Sequence, residues 1–353
     1  MRKNLNKVLS TMLSMKRPYG GEGEATAAGY LASHAPANAK VLIDTAGNVH
    51  IDLRTLPQHR TLFVAHVDTM HCKDGVNTYT TDAKTGIIKA QGDVLGADDA
   101  AGIAILSVLM GAVPAYYLFC RGEERGGIGS KFVADTFPDV LRGMDRAVAF
   151  DRRGYSDVIT HQAMGRCASD AFGTALADAL NNAGLLYAPC DGGIYTDTAE
   201  FIDFIPECTN ISCGYDFEHS DREQLDLKYL HSLAAAALTI NWDALPTERD
   251  PSVRESFYDT WGGMSVVNTG YGALTFPETV SGEDYEIADL VHEALAGEPH
   301  ALMKYVAEFI GTQVFMLDPD AFEVNVVEAA VDASVDWIDV ISWLADEACQ
   351  AVN

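Results

Sequence analysis

No stretch of the 353-residue sequence stays apolar for the about 20 residues that a spanning helix needs, so no membrane span is expected. Cys-x-x-Cys pairs are absent as well. The cysteines, Cys72, Cys120, Cys167, Cys190, Cys208, Cys213 and Cys349, are odd in number and scattered, which fits small buried thiols in a reducing cytoplasm. Basic residues are scarce: 24 Lys and Arg stand against 51 Asp and Glu, a formal net charge of -27. Binding to nucleic acid or to an anionic membrane rests on clustered Lys and Arg, so neither is expected as a partner, and the acidity reads as surface solubility. The first 17 residues carry Leu5, Val8, Leu9, Met12 and Leu13 at a helical period broken by polar residues, not the continuous core of a signal peptide, and export is not expected. Internal repeats and low-complexity segments are also missing. What remains is a chain with 48% hydrophobic residues, enough to bury a full core.

Along that chain, short β-like runs alternate with helical patterns. After the first helix, Gly20-Gly21-Glu22-Gly23 leads into a second over Ala25 to Ala35, and Val41 to Asp52 reads as strand, turn, strand, with Asp44 to Asn48 as the turn. Leu62 to Ala65, Ala115 to Cys120, Ala147 to Phe150 and Thr209 to Cys213 read as further strands. Helices are expected over Gly102 to Met110, Ala168 to Ala183 and Leu225 to Trp242. The alternation predicts an α/β fold with a mostly parallel mixed sheet sandwiched by helices. Beyond about Leu245 the only basic residues are Arg249, Arg254 and Lys304 while acids continue, so a boundary is placed there. This gives a domain over 1–245 and an acidic region over 246–353 with helices expected at Asp284 to Val314 and Phe322 to Ala351.

Metal-capable side chains gather where these strands end, which is where an open α/β sheet holds its ligands. His66-Val67-Asp68 follows the first of the four, and alternation turns His66 and Asp68 to one side, so that the carboxylate orients the imidazole. Asp98 and Asp99 open a helix among small residues, and one such acid suffices to bridge two cations. Arg121-Gly122-Glu123-Glu124 presents adjacent acids that diverge, one toward metal and one toward substrate. Asp151 ends the third strand, and His219 lies in the loop after the fourth. Two imidazoles and three carboxylates suit two borderline cations such as Zn, with Mn or Co as substitutes.

In these motifs the sequence resembles the dinuclear zinc exopeptidases, the superfamily of bacterial leucyl aminopeptidases, peptidase T and carboxypeptidase relatives. His66-Val67-Asp68, Gly96-Ala97-Asp98-Asp99-Ala100-Ala101-Gly102, Glu123-Glu124, Asp151, and His219 within Gly214-Tyr215-Asp216-Phe217-Glu218-His219-Ser220 occur in the family's order, over about Leu5 to Trp242. The resemblance implies the phosphorylase/hydrolase-like zinc exopeptidase fold and a cis peptide at Asp98-Asp99. It implies that Asp98 bridges two metals, that His66 and Asp151 complete one site and Glu124 and His219 the other, and that Glu123, with Asp68 behind the site, does the catalytic proton work. The short spans from His66 to Asp98 and from Asp151 to His219 leave no room for the inserted domains of larger members, which points to the minimal single-domain aminopeptidase branch. Thr196-Asp197-Thr198-Ala199-Glu200-Phe201 resembles a supporting turn of that branch. Arg152 and Arg153 depart from it and suggest recognition of a carboxylate.

Each motif has a bland reading: paired acids cap helices or face solvent. Five such accidents in one order are a poorer account than a site. His71 and His161 stay outside the ligand set, His71 as a solvent contact or substrate neighbour, and Cys72 lacks a paired base. The expected function is a cytoplasmic, metal-dependent aminopeptidase acting on a peptide or other amide, with two divalent ions, and an oligomeric state left open. A carboxypeptidase, deacylase or cell-wall peptide amidohydrolase on the same scaffold is the alternative, and a catalytically idle binding protein the second.

Overall fold

The computed structural model describes residues 2–162 and 165–253, together with the backbone of strands Met264–Asn268 and Ala273–Pro277. Strand Thr61–His66 shows why the chain forms a sheet with two covered faces. Phe63 and Ala65 enter one buried cluster with Tyr117, Phe119 and Phe150, whereas Leu62 and Val64 enter another with Leu118, Ala147 and Ala149. Alternate residues thus serve opposite layers, the condition under which parallel strands persist. Helices Arg2–Leu13, Glu22–Ser33, Ala97–Leu109, Asp170–Asn182 and Leu227–Ala237 cover the first face. Helices Ile128–Thr136 and Pro138–Arg142 and the turn Asp197–Phe201 cover the second.

The eight-stranded sheet runs Ala188–Cys190, Asp157–Ile159, Glu207–Ser212, Arg146–Arg152, Thr61–His66, Tyr116–Cys120, Val49–Asp52, Lys40–Ile43. Its central strands, from Glu207–Ser212 through Tyr116–Cys120, are mutually parallel, so their carboxyl ends meet along one edge. Val49–Asp52 and Lys40–Ile43 add on antiparallel, and Asp157–Ile159 does so on the other side. This is the mixed sheet sandwiched by helices that the pattern predicted, with each expected strand in place.

Local chemistry moves some boundaries. The helix expected over Ala168 to Ala183 starts only at Asp170, because the Ser169 hydroxyl caps it by accepting from Phe172 N–H. Leu225, assigned above to the last helix, belongs instead to strand Gln224–Asp226. The helix begins at Leu227, where the Asp226 carboxylate accepts from the N–H groups of Lys228 and Tyr229. A second, four-stranded antiparallel sheet, ordered Tyr215–Asp216, Gln224–Asp226, Ile87–Ala90, Tyr79–Thr81, was not expected. Its strands are too short and too exposed to show alternation, and its role is to frame the loop 217–223 that carries His219.

Contacts divide the chain after Phe276. Strands Met264–Asn268 and Ala273–Pro277 form a two-stranded sheet, an element absent from the expectation for 246–353. The helices expected over Asp284 to Val314 and Phe322 to Ala351, and Cys349, lie outside the described residues. Among the described residues, no helix is long and apolar enough to cross a membrane, and Cys72, Cys120, Cys167, Cys190, Cys208 and Cys213 are free thiols.

Candidate metal centre

The parallel strands deliver their donors to one place. His66 is the last residue of its strand, in register with Cys120, so the segment Arg121-Gly122-Glu123-Glu124 leaves the sheet beside it. Asp151 lies near the end of the next strand, and the Asp98-Asp99 peptide, which is cis, opens helix Ala97–Leu109 above them. His66, Asp98 and Asp151 offer ligand atoms that lie within 4.8 Å of one another, and so do Asp98, Glu124 and His219. The two groups share Asp98.

Hydrogen bonds fix which atoms face inward. His66 Nδ1 sits 3.2 Å from the Asp68 carbonyl oxygen, which only accepts, so Nδ1 carries the proton. Nε2 is thereby the ring nitrogen that faces inward, 2.9 Å from Asp98 Oδ1 and 3.5 Å from Asp151 Oδ1, and the one a cation could take. On the other side His219 Nε2 lies 2.9 Å from Glu124 Oε2 and 3.3 Å from Asp98 Oδ2. Asp151 accepts from Thr196 Oγ1 at 2.6 Å and from the Tyr215 hydroxyl at 3.2 Å, and its backbone is clamped by Asn210. The turn at Thr196-Asp197 thus supports the site, as its pattern suggested. The His66 imidazole is held by the Asp68 carbonyl and not, as expected, by its carboxylate, which lies 3.5 Å from Nδ1 and instead accepts the backbone N–H groups of Glu123 at 3.1 Å and Glu124 at 3.2 Å, tying the His66 strand to the acidic turn. That turn is a 3-10 helix, Glu123–Arg125, entered and left through Gly122 and Gly126, both in the left-handed region.

The electrostatics ask for cations. Burial pushes the Asp151 carboxyl up to about 6, with Asp98 adding to the rise, and pushes Asp197 up to about 7. Burial also raises Glu123 well above the usual carboxylate range, reinforced by Asp151, Glu124 and Asp197, and it raises Glu124. For Asp98 burial acts the same way but is overcome by His219 and His66, which hold it well below that range. Burial opposes charging of His66 and His219, yet the surrounding carboxylates raise both imidazoles well above their ordinary value. Glu124 Oε1 and Asp197 Oδ1 are buried without a hydrogen-bond partner. Anionic oxygens crowded this closely repel unless positive charge lies among them, and hard-to-borderline divalent ions at mixed N and O donors are the fitting counter-charge. The donor set therefore fits such ions: His66, Asp98 and Asp151 could hold one, and Asp98, Glu124 and His219 could hold another.

Other expectations change. Arg152 pairs with Asp157 at 3.1 Å and Arg153 with Glu218 at 3.1 Å, so each guanidinium already holds a carboxylate of the chain itself. His71 is buried, not a solvent contact: its Nδ1 meets the Thr69 hydroxyl at 2.7 Å and its Nε2 the Val94 carbonyl at 2.9 Å. His161 stays outside the centre, with Nδ1 at 3.0 Å from Thr160 Oγ1. Sequence reasoning missed Arg17 and Glu223, both fully buried beside the Asp98 loop. A single Arg just past the first helix and a single Glu in a polar loop carry no motif by themselves.

No family model and no curated protein matches the sequence. Among solved structures, aminopeptidase PepT from Bacillus cereus aligns with a TM-score of 0.56 at 14% identity, over 68% of this chain and 97% of that one. A tripeptidase from Staphylococcus aureus gives 0.57 at 14%, over 68% and 97%. The TET1 peptidase of Pyrococcus horikoshii gives 0.53 at 14%, over 67% and 99%. The chain has the fold of these peptidases, the fold that the resemblance of its motifs implied.

Proposed function

We propose that this chain is a metal-dependent exopeptidase, and specifically an aminopeptidase, with His66, Asp98 and Asp151 holding one divalent ion and Asp98, Glu124 and His219 the other. The observation that carries this reading is the convergence of those donors from distant segments into two groups that share Asp98, with Glu123 within electrostatic reach of His66, Asp151 and Glu124. The peptidase fold supports the same reading. Two divalent ions, zinc in this reading, supply Lewis-acid activation of water and of the scissile carbonyl when bound. The protein's own residues do the rest. Glu123, held by the Asp68 carboxylate through its backbone N–H, takes the proton of the attacking water as the oxygen bonds to the carbonyl carbon. It then delivers that proton to the amide nitrogen as the carbon–nitrogen bond breaks. Burial and neighbouring acids raise the pKa of Glu123, which makes it a better base than a solvated carboxylate and a competent acid in the second half.

The choice of the amino end rests on charge. Arg152 and Arg153 already face Asp157 and Glu218 within the chain, which weighs against their taking a substrate carboxylate. On the same footing we propose that residues 1–245 form the catalytic domain and that the acidic region 246–353 is an addition to it.

Glu123→Gln is expected to keep two equivalents of metal and lose turnover by roughly 10²–10⁴-fold on aminoacyl substrates. Near wild-type turnover in that variant removes Glu123 as the base. A panel of aminoacyl, acyl and C-terminal peptide substrates with added Zn, Co or Mn tests the specificity, and loaded protein that turns over none of them is a binding protein instead.

A further inference from the structure

The loop that delivers His219 ends in a side chain that faces back into the protein. Glu223 is fully buried, four residues after His219, and its carboxylate accepts only backbone donors. Oε2 takes the N–H of Leu95 at 2.8 Å and of Gly96 at 2.9 Å, and Oε1 takes the N–H of Asp98 at 3.0 Å. From the opposite side the buried Arg17 guanidinium donates to the Gly96 carbonyl at 3.2 Å and the Val67 carbonyl at 2.8 Å. The Gly96 residue is thus gripped by an anion at its N–H and a cation at its C=O, two residues before Asp98. A methyl group at Gly96 would meet Thr69 Cγ2 at 3.1 Å and His71 Cε1 at 3.3 Å, and its φ of +70° disfavours any other residue.

Two features make Glu223 more than a loop anchor. It joins the loop of one donor, His219, to the backbone N–H of another, Asp98, which belong to the same group of three. The remaining partners of the first group are held by other means: His66 by the Asp68 carbonyl, and Asp151 by Thr196, Tyr215 and Asn210. We propose that Glu223 is a positioning residue that registers the His219 loop against Asp98 and so completes the cation site formed by Asp98, Glu124 and His219, while the site at His66 and Asp151 stands largely without it. This rests on the two-cation reading of the centre. A glutamine at 223 cannot reproduce the arrangement, because its amide NH2 would point a donor at backbone donors.

The test uses the full chain, stripped of metal with a chelator and titrated with Zn²⁺ against a chromophoric competitor. Wild-type protein is expected to take up two equivalents. In Glu223→Gln one equivalent weakens by roughly 10–100-fold, the range typical for loss of a side chain that orients a ligand, while the other keeps its affinity. In a His219→Ala background, the Glu223→Gln change is expected to leave the one remaining equivalent unaffected, which assigns the weakened site. Glu223→Asp keeps a carboxylate on a shorter stem and is expected to show the same split to a smaller degree. It carries the test if the glutamine variant does not fold. Equal weakening of both equivalents, or no change in either, overturns the inference while leaving the two-cation reading intact. Wild-type protein that binds fewer than two equivalents overturns that reading and the inference with it.

Discussion

One half of the candidate metal centre is built by the sheet and the other by loops. His66 and Asp151 sit on adjacent parallel strands, and the His66 side chain is only 1% exposed. Glu124 sits in a 3-10 turn between left-handed glycines, and His219 occupies a hairpin loop with a φ of +61° and a side chain that is 32% exposed. The sheet half gains its geometry from the core, since the strands that hold it are buried on both faces. The loop half gains it from hydrogen bonds, chiefly those of Asp68 to the acidic turn and of Glu223 to the Asp98 segment. Precision in the first is a by-product of folding, whereas precision in the second has to be specified residue by residue.

The contrast is most directly broken by removing the two imidazoles separately. His66→Ala and His219→Ala are both expected to lower activity about a thousandfold, the worth of several kcal/mol of charge stabilisation. Their effects on the metal-free protein should differ. Loss of buried His66 leaves Asp98 and Asp151 facing each other uncompensated and costs about 3–5 kcal/mol in urea denaturation. Loss of part-exposed His219 costs less than about 1 kcal/mol. Equal losses would erase the distinction between the halves. Next in size, Arg17→Met strands the carbonyls of Val67 and Gly96 that its guanidinium satisfies, and stability is expected to fall by about 3 kcal/mol by the same measurement.

Smallest is a pH effect at the joint between the halves. Burial, then the nearby Arg17, holds His71 down to about 4 from its ordinary 6.5. The unfolded chain takes up that proton between the two values and the folded chain does not, so the contribution of neutral His71 is complete above about pH 6.5 and is lost as the pH falls toward 4. It amounts to about 2 kcal/mol, and the difference between wild type and His71→Gln in urea midpoints at pH 7 and pH 4.5 measures it. A difference that does not change with pH would show that His71 titrates in the fold as it does in water.

The same division decides what was legible in the sequence. The strands that end in His66, Cys120 and Asp151 announced themselves because apolar runs bounded by polar residues encode a doubly covered strand, and the donors simply follow. The pairing of donors was what the family resemblance implied, and their side chains fall into the same two groups of three, with Asp98 in both. The four-stranded sheet was not legible, since strands such as Tyr79–Thr81 and Gln224–Asp226 are too short for a period to emerge. Nor were Arg17 and Glu223, whose value lies in backbone groups they satisfy far along the chain, a relation that no local pattern records. Arg152 and Arg153 show the converse: a charged pair reads as a binding feature in the sequence, and its partners within the chain, Asp157 and Glu218, are seen only in the fold.

The grip on Gly96 draws together Arg17, near the start of the chain, and Glu223, more than 200 residues later. During synthesis the amino-terminal strands emerge first and have no means of closing this clamp. A nascent polypeptide released before Glu223 has left the ribosome would therefore present most of the acidic donors with their last fastening missing. On the two-cation reading proposed above, the site at His219 would be completed only once the chain has been made past Glu223.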